Sequence, residues 1–84
     1  MKILIVDDHQ LYLEGISAIL NNLFIESTLF KANRITDAFD ILSQHSDIDI
    51  ILLDIRMPNG GAPEVQKKLH DENHAIPVLI ISAS

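Results

Sequence analysis

Short, continuous runs of aliphatic residues, separated by longer amphipathic stretches, most constrain how this chain can fold. Continuous apolar runs are typical of parallel strands buried on both faces, whereas a strand with one wet face alternates apolar and polar residues. Three runs predict such strands: Lys2–Val6, Asp49–Leu53 and Pro77–Ile81. A fourth segment, Ile25–Lys31, mixes hydroxyl-bearing with large apolar side chains, and this mixture favours a strand at the edge of the sheet.

The stretches between these runs have the periodicity of amphipathic helices, with apolar residues three and four positions apart. They predict helices over Leu11–Asn22, Ile35–Gln44 and about Pro63 to His70, where Pro63 suits a first helical position. The predicted core-facing residues are Tyr12, Ile16, Ile19, Leu20 and Leu23, then Ile35, Ala38, Ile41 and Leu42, then Val65 and Leu69. The order β-α-β-α-β-α-β predicts one α/β domain over residues 1–84, with a parallel sheet and helices on its faces.

Composition excludes several classes of function. A net charge of −6 is unsuited to binding nucleic acid phosphates, so we expect this chain itself to bind no nucleic acid. The sequence contains no cysteine, which excludes disulfides and thiolate metal sites. No apolar run approaches the roughly 20 residues needed to span a bilayer, so we expect no membrane association. A reducing cytoplasm is the expected compartment.

Acidic residues follow two of the predicted strands. Asp7 and Asp8 come after the first strand, Asp54 after the third, and the hydroxyl of Ser82 after the fourth. Ligands of open parallel sheets bind beyond the carboxyl ends of the strands, so these side chains are expected to share one pocket. Clustered carboxylates repel one another, and a hard cation such as Mg²⁺ relieves the repulsion. A carboxylate in such a site can attack phosphorus and form an acyl phosphate, while a hydroxyl hydrogen-bonds the phosphoryl oxygens.

Each of these residues also has a purely structural interpretation. Asp7 or Asp8 could cap the first helix, because aspartate favours that position. Asp54 could close a turn at the end of a strand. For His9 we favour the structural interpretation, a loop residue near the pocket, over a metal ligand or phosphate carrier.

Three segments carry a resemblance to a known family. The opening Ile3–Leu11, which includes the Asp-Asp-His sequence, resembles receiver domains of response regulators in the class named after LuxR and NarL. Residues Ile50–Pro58 are similar to the strand and loop that carry the phosphoacceptor in receivers generally. Residues Pro77–Ala83 resemble their fourth strand and its hydroxyl. The resemblance covers the whole chain in order and implies a flavodoxin-like (CheY-like) fold.

The resemblance also implies functional roles. Asp54 would accept a phosphoryl group from a sensor histidine kinase, and Ser82 would contact that group. Asp7, Asp8, Asp54 and the backbone carbonyl of Arg56 would hold Mg²⁺. The protein would not be an enzyme acting on an external substrate, although it would catalyse its own phosphorylation and dephosphorylation. In the parent protein the domain would control a LuxR-type DNA-binding output domain.

Family members continue with a fourth helix, a fifth strand bearing a lysine, and a fifth helix, so we predict a receiver portion truncated after its fourth strand. An alternative is a truncated or degenerate receiver that acts only as a dimerisation or interaction module without phosphorylation. The exposed fourth strand would favour a homo-oligomer. A phosphatase resembling the haloacid dehalogenases is a third possibility, but it needs a second aspartate where Arg56 stands.

Overall fold

The computed structural model describes residues 1–54, 62–72 and 75–81. Within these ranges it contains strands and helices in the predicted order: β1 Lys2–Val6, α1 Gln10–Leu23, β2 Thr28–Ala32, α2 Ile35–Gln44, β3 Ile50–Asp54, α3 Ala62–Asp71 and β4 Val78–Ile81. Across the same ranges, every helix is too short or too polar to cross a bilayer.

The strands form one parallel sheet in the order β2-β1-β3-β4. This is the order with which flavodoxin-like sheets begin, and it confirms the predicted fold class. It also confirms β2 as an edge strand. The register pairs Val6 with Leu53 and Asp54 with Ile81. The carboxyl ends of β1, β3 and β4 therefore lie side by side at the same end of the sheet.

Helices cover both faces of the sheet, as predicted. One face packs against α2 and α3 through a cluster of buried residues: Leu4, Val6, Ala32, Ile35, Ala38, Leu42, Ile48, Ile51, Leu53, Val65 and Leu69. The other packs against α1, where Ile3, Ile5 and Leu13 are buried and Ile16, Leu20, Leu29, Ile50 and Leu52 are partly buried. Most of the apolar core thus lies on the side of α2 and α3.

The second strand begins later than predicted. The predicted Ile25–Lys31 is observed as Thr28–Ala32, and Ile25 is 86% exposed. The reason is that α1 extends to Leu23, after which the backbone N–H of Phe24 donates to the carbonyl of Leu20 at 2.8 Å. The chain therefore needs the following residues to turn before pairing with β1.

The buried stripe of α1 also differs from the prediction. Ile19 and Leu23 are exposed, whereas Leu13 and Ser17 are buried. The hydroxyl of Ser17 donates to the carbonyl of Leu13 at 2.7 Å, so this polar side chain is satisfied inside the helix and can face the sheet. Compared with the prediction, α1 is therefore rotated about its axis so that a different row of residues faces the sheet. The predicted inward positions of α2 and α3, by contrast, are buried or partly buried in the larger cluster.

Candidate functional site

The loop after β1 and the end of β3 bring four potential metal ligands together. Each of Asp7, Asp8, His9 and Asp54 offers one ligand atom, and these atoms all lie within 4.8 Å of one another. The cause is the pairing of β1 with β3, which ends both strands at the same level. This is the edge where flavodoxin-like sheets bind ligands, between the strands whose connections leave toward opposite faces. The predicted proximity of the three carboxylates is confirmed.

Two of the carboxylates are held inside the protein. Asp7 and Asp54 are both 0% exposed, whereas Asp8 lies at the exposed mouth. The backbone N–H of Asp7 donates to the carbonyl of Ala32 at 3.0 Å, which fixes the start of the loop against β2. Among the described residues, the buried Oδ2 of Asp7 has no hydrogen-bond donor. A carboxylate oxygen removed from water without a donor is costly, and a bound cation would offset that cost.

His9 closes the mouth of the site. Its backbone N–H donates to Oδ1 of Asp7 at 2.8 Å. Its ring Nδ1 lies 3.1 Å from Oδ1 of Asp7, 3.1 Å from Oδ1 of Asp8 and 3.6 Å from Oδ2 of Asp54. The hydrogen bond to Asp7, followed by the negative charge of Asp8, raises the pKa of His9 above its usual value. His9 is thus a member of the cluster, beyond the loop role we favoured from sequence.

The structure does not support helix capping as the role of Asp7 and Asp8. His9 itself is the N-cap of α1, and it makes no side-chain cap hydrogen bond. Asp7 instead accepts hydrogen bonds from the loop, and both aspartates approach the His9 ring. Because neither carboxylate is needed to begin α1, both remain available for a ligand.

Two predicted site residues, Arg56 and Ser82, lie outside the described residues. Ile81, which precedes Ser82 in sequence, pairs with Asp54 across β3 and β4. The sequence placed His9 in the loop near the pocket, and the structure agrees. It did not predict that the ring nitrogen lies 3.1 Å from an oxygen of Asp7 and 3.1 Å from an oxygen of Asp8.

Chemically, the arrangement can bind a divalent cation through carboxylate oxygens and present one buried carboxylate to an electrophile. The fold and site together define a class: a doubly wound parallel α/β domain with an acidic pocket at the ends of β1 and β3. Residues 3–84 match the family model described as the response regulator receiver domain. The chain belongs to this family.

Individual relatives agree with the family match. The chain is 38% identical over 82 residues to the glycerol metabolism activator of Pseudomonas putida, covering 98% of this chain and 37% of that protein. It is 33% identical over 85 residues to response regulator RR06 of Streptococcus pneumoniae, covering 99% of this chain and 36% of that protein. The chain thus spans little more than a third of the length of these relatives.

Solved structures share the fold. The MaeR response regulator bound to beryllium trifluoride superposes with a TM-score of 0.85 at 26% identity, covering 100% of this chain and 68% of that chain. Because the chain is a receiver, the phosphatase alternative considered from sequence gains no support.

Proposed function

We propose that this chain is the phosphoacceptor portion of a two-component response regulator, in which Asp54 receives the phosphoryl group. The observation that carries the proposal is the placement of Asp54. Its carboxylate is buried at the end of β3, in one cluster with the carboxylates of Asp7 and Asp8. An acceptor needs this combination of a nucleophilic oxygen and neighbouring groups that can hold a cation.

The donor set suits Mg²⁺, which prefers oxygen ligands and retains several waters. Asp7, Asp8 and Asp54 would hold the ion, and the backbone carbonyl of Arg56 is the further ligand that the family resemblance implies. The buried Oδ2 of Asp7, which has no donor among the described residues, supports this assignment. When bound, Mg²⁺ supplies the positive charge that offsets the phosphoryl oxygens.

The chain's own part in the reaction is nucleophilic. A carboxylate oxygen of Asp54 forms a bond to phosphorus, while the bond from phosphorus to the donor breaks and the leaving group keeps its electron pair. The proposed donor is a sensor histidine kinase. Ser82 would hydrogen-bond the transferred group, since it follows Ile81, the residue paired with Asp54. The residues of the site would also promote transfer from small donors and later hydrolysis.

In the parent protein, we propose that residues 1–84 act in the cytoplasm as a receiver that controls a LuxR-type DNA-binding output domain. The Asp-Asp-His sequence at residues 7–9 favours this class. The chain itself, with a net charge of −6, would leave DNA binding to the output domain.

Treatment with acetyl phosphate and Mg²⁺ tests the acceptor role. We expect intact-mass spectrometry to show one added phosphoryl group on the wild type, removable by hydroxylamine as an acyl phosphate. Asp54→Asn should remain unmodified. Asp40→Asn, which changes an exposed aspartate on α2, is the matched control and should be modified normally. A folded, Mg²⁺-binding wild type that stays unmodified would contradict the acceptor role and favour an interaction module without phosphorylation.

The interaction module remains a second candidate because of the exposure of β4. Leu79 is 53% exposed and Ile80 is 37% exposed, and among the described residues β4 forms one edge of the sheet. An apolar edge strand is a template for pairing, so two copies could extend the sheet through β4. Size-exclusion chromatography with light scattering should then give a dimer, and Leu79→Lys should give a monomer. A stable wild-type monomer would contradict this assembly.

A further inference from the structure

The ring nitrogen Nδ1 of His9 lies close to three carboxylate oxygens, which is more than one N–H group can donate to with good geometry. Nδ1 lies 3.1 Å from Asp7 Oδ1, 3.1 Å from Asp8 Oδ1 and 3.6 Å from Asp54 Oδ2. One N–H points in one direction and can donate well to one of these oxygens, or weakly to two. A metal ion, by contrast, can face all four atoms at once.

The spacing of these atoms is that of ligands around a small metal ion. With metal–ligand distances of about 2.0–2.1 Å, neighbouring ligand atoms are about 3.3 Å apart in a tetrahedral site and about 2.9 Å apart in an octahedral one. The distances from Nδ1 fall close to these values. The four ligand atoms lie within 4.8 Å of one another, so small side-chain rotations would complete the sphere.

Two further observations support a metal in contact with the ring. The hydrogen bond from the His9 backbone to Asp7 Oδ1, at 2.8 Å, keeps the residue over the site. The second oxygen of Asp7 is buried and has no donor among the described residues, so it remains open to a cation. The His9 side chain is 57% exposed, which leaves it free to turn away when an ion needs oxygen ligands alone.

We infer that His9 is a metal ligand through Nδ1, and that with Asp7, Asp8 and Asp54 it makes this site bind first-row transition ions such as Zn²⁺ and Co²⁺ in preference to Mg²⁺. This inference rests on the proposed metal site and adds its selectivity. Mg²⁺ prefers oxygen ligands and gains little from a nitrogen ligand, whereas imidazole suits Zn²⁺ and its neighbours in the first transition row, so the His9 nitrogen should strengthen the binding of these ions selectively.

Calorimetric titration of the wild type and His9→Gln with Zn²⁺ and Mg²⁺ tests this inference. Glutamine keeps a polar side chain near Asp7 but lacks the imidazole nitrogen. We expect the wild type to bind Zn²⁺ more tightly than Mg²⁺, and His9→Gln to lose about tenfold or more of its Zn²⁺ affinity. Its Mg²⁺ affinity should change by no more than about twofold. His70→Gln, which changes an exposed histidine on α3, should leave both affinities unchanged.

Nitrogen-15 spectra of the histidine rings provide a direct readout. Zn²⁺ should shift Nδ1 of His9, and Mg²⁺ should not. The inference would be overturned if His9→Gln bound Zn²⁺ as tightly as the wild type does and if Zn²⁺ left the His9 ring resonances of the wild type unshifted. With Mg²⁺ binding intact, the phosphoacceptor proposal would still stand. A folded wild type that binds neither ion would overturn both.

Discussion

The two ends of the sheet differ in whether their charged side chains are buried or exposed. At the carboxyl end, Asp7 and Asp54 are buried beside the exposed Asp8 and His9. At the amino end, Lys2 pairs with Asp47 at the surface, with side-chain exposures of 37% and 59%. The Lys2 backbone N–H also donates to Oδ2 of Asp49 at 2.7 Å.

The difference separates charge placed for function from charge placed for solvation. Burying two carboxylates close together costs free energy that no structural need explains, since α1 begins without a cap from Asp7 or Asp8. A surface pair such as that of Lys2 and Asp47 costs little and contributes little. Local energetic conflict of the first kind is expected where a protein binds or reacts, which supports the proposed phosphoacceptor site at the carboxyl end.

The largest effect should come from the apolar layer that holds the acidic end in place. Leu53 precedes Asp54 and is fully buried against the α2 and α3 face, whereas its neighbour Leu52 faces α1 and is only partly buried. Leu53→Ala should lower the free energy of unfolding by about 2–5 kcal/mol. Leu52→Ala should cost less than half as much. Urea unfolding followed by far-UV circular dichroism measures both.

If Leu53→Ala is already unfolded without urea, Leu53→Val keeps the comparison measurable, with an expected cost near 1 kcal/mol for the lost methylene. Equal costs at the two positions would show that the α1 face supports the sheet as firmly as the other. The acidic end would then rest on both layers equally.

A smaller effect, of opposite sign, is expected at the acidic end itself. Without metal, Asp54→Asn should raise the free energy of unfolding by about 0.5–2 kcal/mol, because it removes one negative charge from the buried cluster. Mg²⁺ at 100 times its Kd should stabilise the wild type by about 2.7 kcal/mol, and the variant far less. Thermal unfolding with and without Mg²⁺ measures both changes.

Asp40→Asn serves as the control for this result, because Asp40 is an exposed acid outside the cluster. It should neither stabilise the metal-free chain nor weaken its response to Mg²⁺. If Asp54→Asn destabilised the chain and left its response to Mg²⁺ undiminished, the result would contradict the view that burying these carboxylates costs free energy that a bound cation offsets.

The sequence was sufficient to predict the architecture because the buried strands can be recognised from their amino-acid pattern. Runs such as Leu4–Val6 and Ile51–Leu53 are apolar without interruption, as full burial requires. Boundaries were less predictable where a helix and a strand compete for apolar residues. Phe24 and Ile25 could continue either element, and the chain resolves the competition with a helix end and a turn.

The proximity of Asp7 and Asp54 was also predictable, because it follows from topology alone: both residues end neighbouring parallel strands. The position of the His9 ring was not predictable. It depends on the backbone of one loop residue, with φ of −95° and ψ of 101°, and on its hydrogen bond to Asp7. Periodicity and spacing carry no information about such a local conformation.

The smallest effect is expected at the amino end of the sheet. The hydrogen bond from Lys2 lowers the pKa of Asp47 below its ordinary value of 3.8. A carboxyl with a lowered pKa in the folded state stabilises the fold above its unfolded pKa, and the benefit disappears as pH falls through the folded value. Asp47→Asn should therefore lower Tm at pH 7 by only about 1–3 °C, since both side chains are exposed. The difference between variant and wild type should shrink steadily below about pH 4. If the difference in Tm between variant and wild type stayed constant from pH 7 to pH 2, the charge of Asp47 would contribute nothing to stability. If the difference at pH 7 were much larger than expected, charge at the amino end would matter as much as charge at the acidic end.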